Sequence, residues 1–188
     1  MPPTKPITIG TRGSDLALWQ ANFVRKELER LGHQVHIKMI TTQGDKIQDL
    51  GFDKMEGKGF FTKEIEAALF KRDIDLAEHS HKDLETKQPE GLEIAAVSAR
   101  ENPCELLLIR ESAYQENALW GLRKDAVVGT SSARRKSQLL ALRQDVQIKE
   151  LRGNVPTRVE KLRSGQYDAI LLAKAGILRL ELDLSLIH

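Results

Sequence analysis

One cysteine, Cys104, stands in the 188 residues. A lone thiol cannot close an internal disulfide and leaves no cysteine pair for a zinc site. Within NPCELLLI it reads as a small core or strand-edge residue rather than a reactive nucleophile. No apolar run approaches the roughly 18–20 residues that a membrane-crossing helix needs, so no membrane partner is expected. The opening MPPTKPITIG has no apolar signal region, and the expected compartment is the cytoplasm. No Gly-x-Ser-x-Gly elbow is present for a serine nucleophile. His79 and His81 would share a strand face, but no third ligand lies near them in sequence, so no metal is expected. Aromatic residues make up 5% of the chain, and beyond residue 120 Tyr167 is the only one.

The scarcity of aromatics matters because charge is unevenly spread. Residues 1–120 hold 16 basic and 20 acidic side chains, whereas 121–188 hold 13 and 7. A basic half should meet an anion. Single-stranded nucleic acid would call for stacking aromatics, which this half lacks, so a small polyanion is the better expectation.

Hydrophobic patterning alternates between strand and helix along the whole chain. ITIGTR reads as a strand, and Ser14 caps a helix with Leu18, Ala21, Val24, Leu28 and Leu31 at helical spacing. Residues 33–42 read as a strand, and 43–59, polar and glycine-bearing, as a long lid-like loop. FFTKEIEAALFKR predicts a helix, then DIDLAEHS, LEIAAVS and CELLLIR three strands, and QENALWGLR a helix. AVVGT, VQIKEL and YDAILLA predict further strands, each followed by a helix: SARRKSQLLALR, VPTRVEKLRSG and a last one from Lys174. The fold class is therefore α/β with parallel sheets. A break near residues 100–112 divides it into lobes 1–104 and 105–188, with a cleft between them as the expected site.

Ligands of open α/β sheets lie beyond the carboxyl ends of the strands, and here those exits carry the charge. Arg12 and Ser14 follow the first strand, and Lys82 and Asp83 follow DIDLAEHS. Thr130, Ser131, Ser132, Arg134 and Arg135 follow AVVG, Arg152 and Arg158 flank the next helix start, and Arg179 comes last. Cations in a helix's first turn oppose its dipole, so Arg134 and Arg135 make sense if a carboxylate or phosphate occupies that end. Taken singly, each arginine could be a surface ion pair, Ser131 a helix cap, and Asp83 a turn residue. Asp83 beside Lys82 could also be a carboxylate held ionised by cations, able to stabilise developing positive charge.

GTRGSDLALWQA, TTQGD, GKGFFTKEIEAAL, HSHKD, GTSSARRKSQL, LRGNVPTR and YDAILLAKAGILRL, in this order from Ile7 to Leu182, resemble the porphobilinogen deaminase (hydroxymethylbilane synthase) family. The resemblance implies a transferase of haem and tetrapyrrole biosynthesis that condenses four porphobilinogens, releasing ammonia each time, into a linear tetrapyrrole. It implies two lobes of the type II periplasmic-binding-protein kind, plus a third domain whose cysteine holds a dipyrromethane cofactor. These residues would supply the two lobes without that domain, and Cys104 does not match the attachment cysteine. The partners implied are porphobilinogen and oligopyrrole intermediates, taken up by a monomer. Carried over motif by motif, Asp83 is the catalytic carboxylate, with Lys82 and Arg12 beside it. Ser14, Lys58, Ser131, Arg134, Arg135, Arg152, Arg158 and Arg179 would bind acetate and propionate groups, Lys58 from the lid loop. Glu78, His81 and Glu85 replace apolar or proline positions of the family pattern, and ENPCELLL replaces an EDPRDAL-like stretch. Those departures keep open a non-catalytic paralogue that binds small carboxylates or pyrroles.

Overall fold

The computed structural model describes residues 5–46 and 60–185. They form two compact units, the first built from residues up to Ala99 and the second from Arg100 onward.

The first unit is a small parallel sheet, in the order β2-β1-β3, of β1 (Ile7–Thr11), β2 (Val35–Met39) and β3 (Leu76–Ala77). Helix α1 (Asp15–Arg30) connects β1 to β2. Ser14 caps it by accepting from the Ala17 amide at 3.4 Å, the local bond that a serine at this position predicts. Helix α2 (Gln43–Lys46) is a single turn, and α3 (Lys63–Phe70) buries Ile65 and Ala68 against Ile74. The turn at α2 departs from the loop expected over 43–59. It forms because the Asp45 carboxylate accepts from both the Thr42 amide (3.1 Å) and the Thr42 hydroxyl (2.8 Å). The rest of that expected loop, Lys58 included, lies outside the described residues.

The second unit has four strands in the order β4-β7-β5-β6: β4 (Glu105–Ile109), β5 (Val127–Gly129), β6 (Gln147–Lys149) and β7 (Ala169–Ala173). Helices α4 (Ala133–Leu142), α5 (Val155–Arg163) and α6 (Lys174–Leu180) each leave the carboxyl end of a strand. Strand β7 shows why AILLA is apolar throughout. Ile170 and Leu172 join a cluster with Val159, Leu162 and Ile177, while Ala169 joins the opposite one with Val128, Leu139 and Val146. A strand covered on both faces reads as a continuous apolar run.

Three expectations are corrected, and the two readings of Cys104 are resolved. The sheet is mixed rather than parallel, because β4 runs antiparallel to β7. Residues 92–98 are no strand: among the described residues no neighbour supplies a ladder, and Ile94 and Val97 are exposed. QENALWGLR yields only a 3₁₀ turn at Leu119–Gly121, since Trp120 (φ 60°) and Gly121 (φ 69°) are left-handed and cannot continue a helix. Cys104 is exposed immediately before β4, so it is a strand-edge residue and not a core one. Among the described residues no helix is long and apolar enough to cross a membrane, and no group of three potential ligands could hold a metal ion.

Gly129 closes β5 where nothing larger fits. A Cβ there would lie 2.8 and 3.0 Å from two Tyr167 ring carbons and 3.0 Å from Ile170 Cγ2. The ring cannot swing aside, because the Tyr167 hydroxyl donates to the Glu150 carbonyl. Gly129→Ala is expected to cost about 1–3 kcal/mol by overpacking, seen as a lower urea midpoint at unchanged m-value.

Candidate functional site

The strand exits hold the charged side chains, and each unit contributes its own set. In the first, Arg12 follows β1 and its guanidinium is engaged on two sides. Its Nε donates to Asp45 Oδ1 at 3.0 Å and its Nη2 to the same oxygen. Its Cζ lies 4.0 Å from the centroid of the Phe61 ring, within cation–π range. Burial would raise the Asp45 carboxyl, but hydrogen bonds from Arg12 and Thr42 more than offset it and hold the group below its ordinary value. Asp45 and Phe61 lie within the quoted motifs TTQGD and GKGFFTKEIEAAL. Their partnership with Arg12 spans 33 residues or more and could not be read from either motif.

Lys82 and Asp83 sit together on a 3₁₀ turn, His81–Asp83, just beyond β3. The approach to that turn is set from α1: Gln20 donates to Glu78 Oε1 (2.9 Å) and accepts from Ser80 Oγ (3.0 Å). Glu78, a departure from the family pattern, is thus absorbed into the scaffold, with the Thr11 hydroxyl 3.4 Å from its second oxygen. Asp83 is exposed by its accessible surface, yet many protein atoms surround its carboxyl. That burial raises its pKa from the ordinary value, and Lys82 and Arg12 only partly pull it back. The sequence suggests that cations dominate there; burial wins instead. His79, nearby in sequence, is pushed down by burial and then by Arg12, which favours a neutral imidazole.

In the second unit the arginines converge. Arg158, in the first turn of α5, donates from Nε to the Gly153 carbonyl at 2.7 Å. Its pKa is lowered first by burial, then by the charges of Arg135 and Arg152, with Tyr167 opposing. Arg158 therefore feels the charges of two neighbouring guanidinium groups. Arg135 Nε is buried with no hydrogen-bond partner among the described residues. Such a cluster is stabilised by any anion that enters it. Arg152 leads into α5 after Leu151, and Arg179 lies on α6, half-buried.

Two roles differ from expectation. Ser131 is not the cap of α4. Its hydroxyl donates to the Leu151 carbonyl (2.9 Å) and accepts from the Leu151 amide (3.1 Å), tying the β5 and β6 exits together. The cap is Ser132, which accepts from the Arg135 amide. Arg134 and Arg135, moreover, already hold a carboxylate, that of Glu105 at the start of β4. Arg134 Nη2 lies 2.5 Å from Oε1 and Arg135 Nη2 lies 2.6 Å from Oε2. Arg135 is anchored further by a 3.0 Å bond from Nη1 to the Leu171 carbonyl. Burial raises Glu105, but the two arginines outweigh it and keep its pKa below the ordinary value. Glu105 is not legible in the sequence, since nothing local marks a glutamate 29 residues away as the partner of an arginine pair.

Residues 7–188 match the family model described as porphobilinogen deaminase, dipyromethane cofactor binding domain. The porphobilinogen deaminase of a Nitratiruptor species is 50% identical over 174 residues, covering 93% of this chain and 55% of that protein. That of Maridesulfovibrio salexigens is 51% identical over 181 residues, covering 95% and 58%. The chain thus spans little more than half the length of these relatives. Among solved structures it is similar to an ancestral arginine-binding protein bound to glutamine, 16% identical with a TM-score of 0.45 over 94% of this chain and 73% of that one.

Proposed function

The chain belongs to the porphobilinogen deaminase family, and from that premise we propose that it binds porphobilinogen and its oligopyrrole products and takes part in their condensation. The observation that carries this reading is the gathering of Arg135, Arg152 and Arg158 at the strand exits, with Arg135 Nε buried and without a hydrogen-bond partner among the described residues and Arg158 lowered first by burial and then by the other two charges. Every pyrrole in such a chain bears an acetate and a propionate, so the ligand brings carboxylates to a group of cations. A planar guanidinium grips a carboxylate through two parallel hydrogen bonds. Arg179 on α6 and Arg134 on α4 would serve the same acidic groups, with Ser131 holding the loops that present them.

In the first unit, Asp83 is the group suited to the reacting centre. Loss of ammonia from the aminomethyl group of porphobilinogen leaves a pyrrole-stabilised cation. A carboxylate accepting from the pyrrole N–H stabilises that charge as it develops. Attack by the free α-carbon of a neighbouring pyrrole forms the new C–C bond, and the displaced ring proton is lost. Lys82 and Arg12 keep Asp83 more ionised than burial alone would allow. Ser14 caps the helix beside Arg12 and keeps that exit in place. Lys58 joins the proposal from its motif alone.

A dipyrromethane fits the same residues, because Arg135 Nε is a buried donor without a partner among the described residues. Arg135, Arg152 and Arg158 would hold its acidic side chains. When bound, it supplies the pyrrole carbon from which the chain grows. A cytoplasmic location and action on small molecules rather than nucleic acid belong to the same proposal, supported by the lack of stacking aromatics in the basic half.

Calorimetric titration with porphobilinogen tests the reading, and absence of saturable binding would overturn it. Arg158→Lys keeps the charge but loses the fork, and is expected to weaken binding about tenfold, the equivalent of one charge-assisted hydrogen bond. Equal affinity would remove Arg158 from the site.

A further inference from the structure

Glu105 contributes nothing to the reaction proposed above, yet its carboxylate lies where a ligand's carboxylate would bind an arginine pair. Its two oxygens go to different guanidinium groups, 2.5 Å to Arg134 and 2.6 Å to Arg135. The two arginines are unequally fixed. Arg135 is nearly buried, at 12% exposure, and bonded to the Leu171 carbonyl, whereas Arg134 is 59% exposed. Glu105 itself starts β4, with its backbone in register with Ala173, so the sheet sets where its side chain begins. The result is an intramolecular carboxylate held on Arg135, whose charge still acts on Arg158.

We infer that Glu105 is an internal competitor, a positioning residue that occupies the Arg134–Arg135 pair and is displaced when an acidic side chain of the ligand enters. The inference rests on the carboxylate-binding reading of this unit. An intramolecular counter-ion has two consequences. It keeps the arginines folded in place when no ligand is bound, where a bare pair in one helical turn would repel itself. It also subtracts from ligand affinity, because each entering carboxylate must replace bonds that already exist. The site is thereby tuned to release a polyanion that it would otherwise hold too tightly. Only a ligand able to offer two or more acidic groups recovers what displacing Glu105 costs.

The test uses Glu105→Gln, which keeps shape and removes charge, and Glu105→Asp, which keeps charge. Porphobilinogen and succinate, a plain dicarboxylate, are titrated calorimetrically against each. Glu105→Gln is expected to bind both about tenfold more tightly, and Glu105→Asp to stay near the parent. In an Arg134→Gln background the gain should shrink, since half of the displaced contact is already gone. A merely structural glutamate predicts the reverse, a Gln variant that binds no better and melts earlier. If succinate alone binds and the gain is seen with it, the porphobilinogen reading fails and the competitor role stands. If Glu105→Gln binds neither probe more tightly than the parent does, or neither probe binds at all, the inference is overturned.

Discussion

Asp83→Asn is expected to lower the rate of porphobilinogen consumption about 10²–10³-fold, the usual effect of removing one preorganised electrostatic contact to a charged transition state. The substitution is nearly isosteric and still offers an oxygen to a pyrrole N–H, so what it removes is the negative charge. Stability should change little, because among the described residues the Asp83 carboxylate makes no hydrogen bond, and the backbone of the turn is held instead by the Asp83 amide bonding to the Ser80 carbonyl at 2.8 Å. The pH profile gives an independent reading. In the proposed role the active form is the carboxylate, so activity is expected to fall on the acid side as pH drops through the Asp83 pKa. Burial raises that pKa, placing this limb higher than an ordinary aspartate would, and the Asn variant should lack it. The measurement is porphobilinogen loss followed with an aldehyde reagent across the acid and neutral range, alongside a melting curve. A variant with parental turnover would remove Asp83 from the chemistry, and one that melts early would show that the turn depends on it.

Arg143→Met should produce a large loss of stability in the second unit. Arg143 is 6% exposed and holds the segment where the expected helix gives way to a 3₁₀ turn. Its guanidinium donates to the carbonyls of Leu119 (2.7 Å), Leu122 (2.9 Å) and Arg123 (3.0 Å), and forks onto Asp145 at 2.8 and 2.7 Å. Methionine would fill much of the space but satisfy none of these acceptors. Because the pair lies just beneath the surface, water can reach some of them, and the cost is about 2–3 kcal/mol. That corresponds to a melting temperature lower by about 8–24 °C for a unit of this size. The Asp145 pKa, ordinarily 3.8, is lowered to about 2, chiefly by its bond to Arg143. A lowered carboxylate pKa stabilises above its unfolded value, and that contribution is lost as pH falls through the folded one. The stability gap between parent and variant should therefore be widest above pH 3.8 and narrow steadily towards about 2. A gap that is constant over this window would mean that the carbonyls alone account for it.

The local architecture was legible in the sequence because its causes are local. Ser14 caps its helix by bonding the amide three residues ahead, and such a bond depends on little beyond the neighbouring residues. The alternation of strands and helices, and the placing of Arg12, Asp83, Arg135 and Arg158 at strand exits, followed from periodicity. Residues 92–98 show where this stops working. Their composition suits a strand, but a strand exists only where a neighbour pairs with it, and periodicity does not supply the neighbour. The antiparallel β4 was missed for a related reason, since CELLLIR has the same pattern in either direction.

The sequence by itself determined the residue types, their order along the chain, the cap of the first long helix and the family to which the motifs belong. Only the tertiary structure decided who partners whom. It gave Arg134 and Arg135 to Glu105, Arg12 to Asp45 and Ser131 to the main chain of Leu151. It also decided that burial, rather than neighbouring cations, governs Asp83. The reason is physical. A hydrogen bond or a pKa responds to atoms a few ångströms away, and strand order brings residues 20 to 33 positions apart into that range.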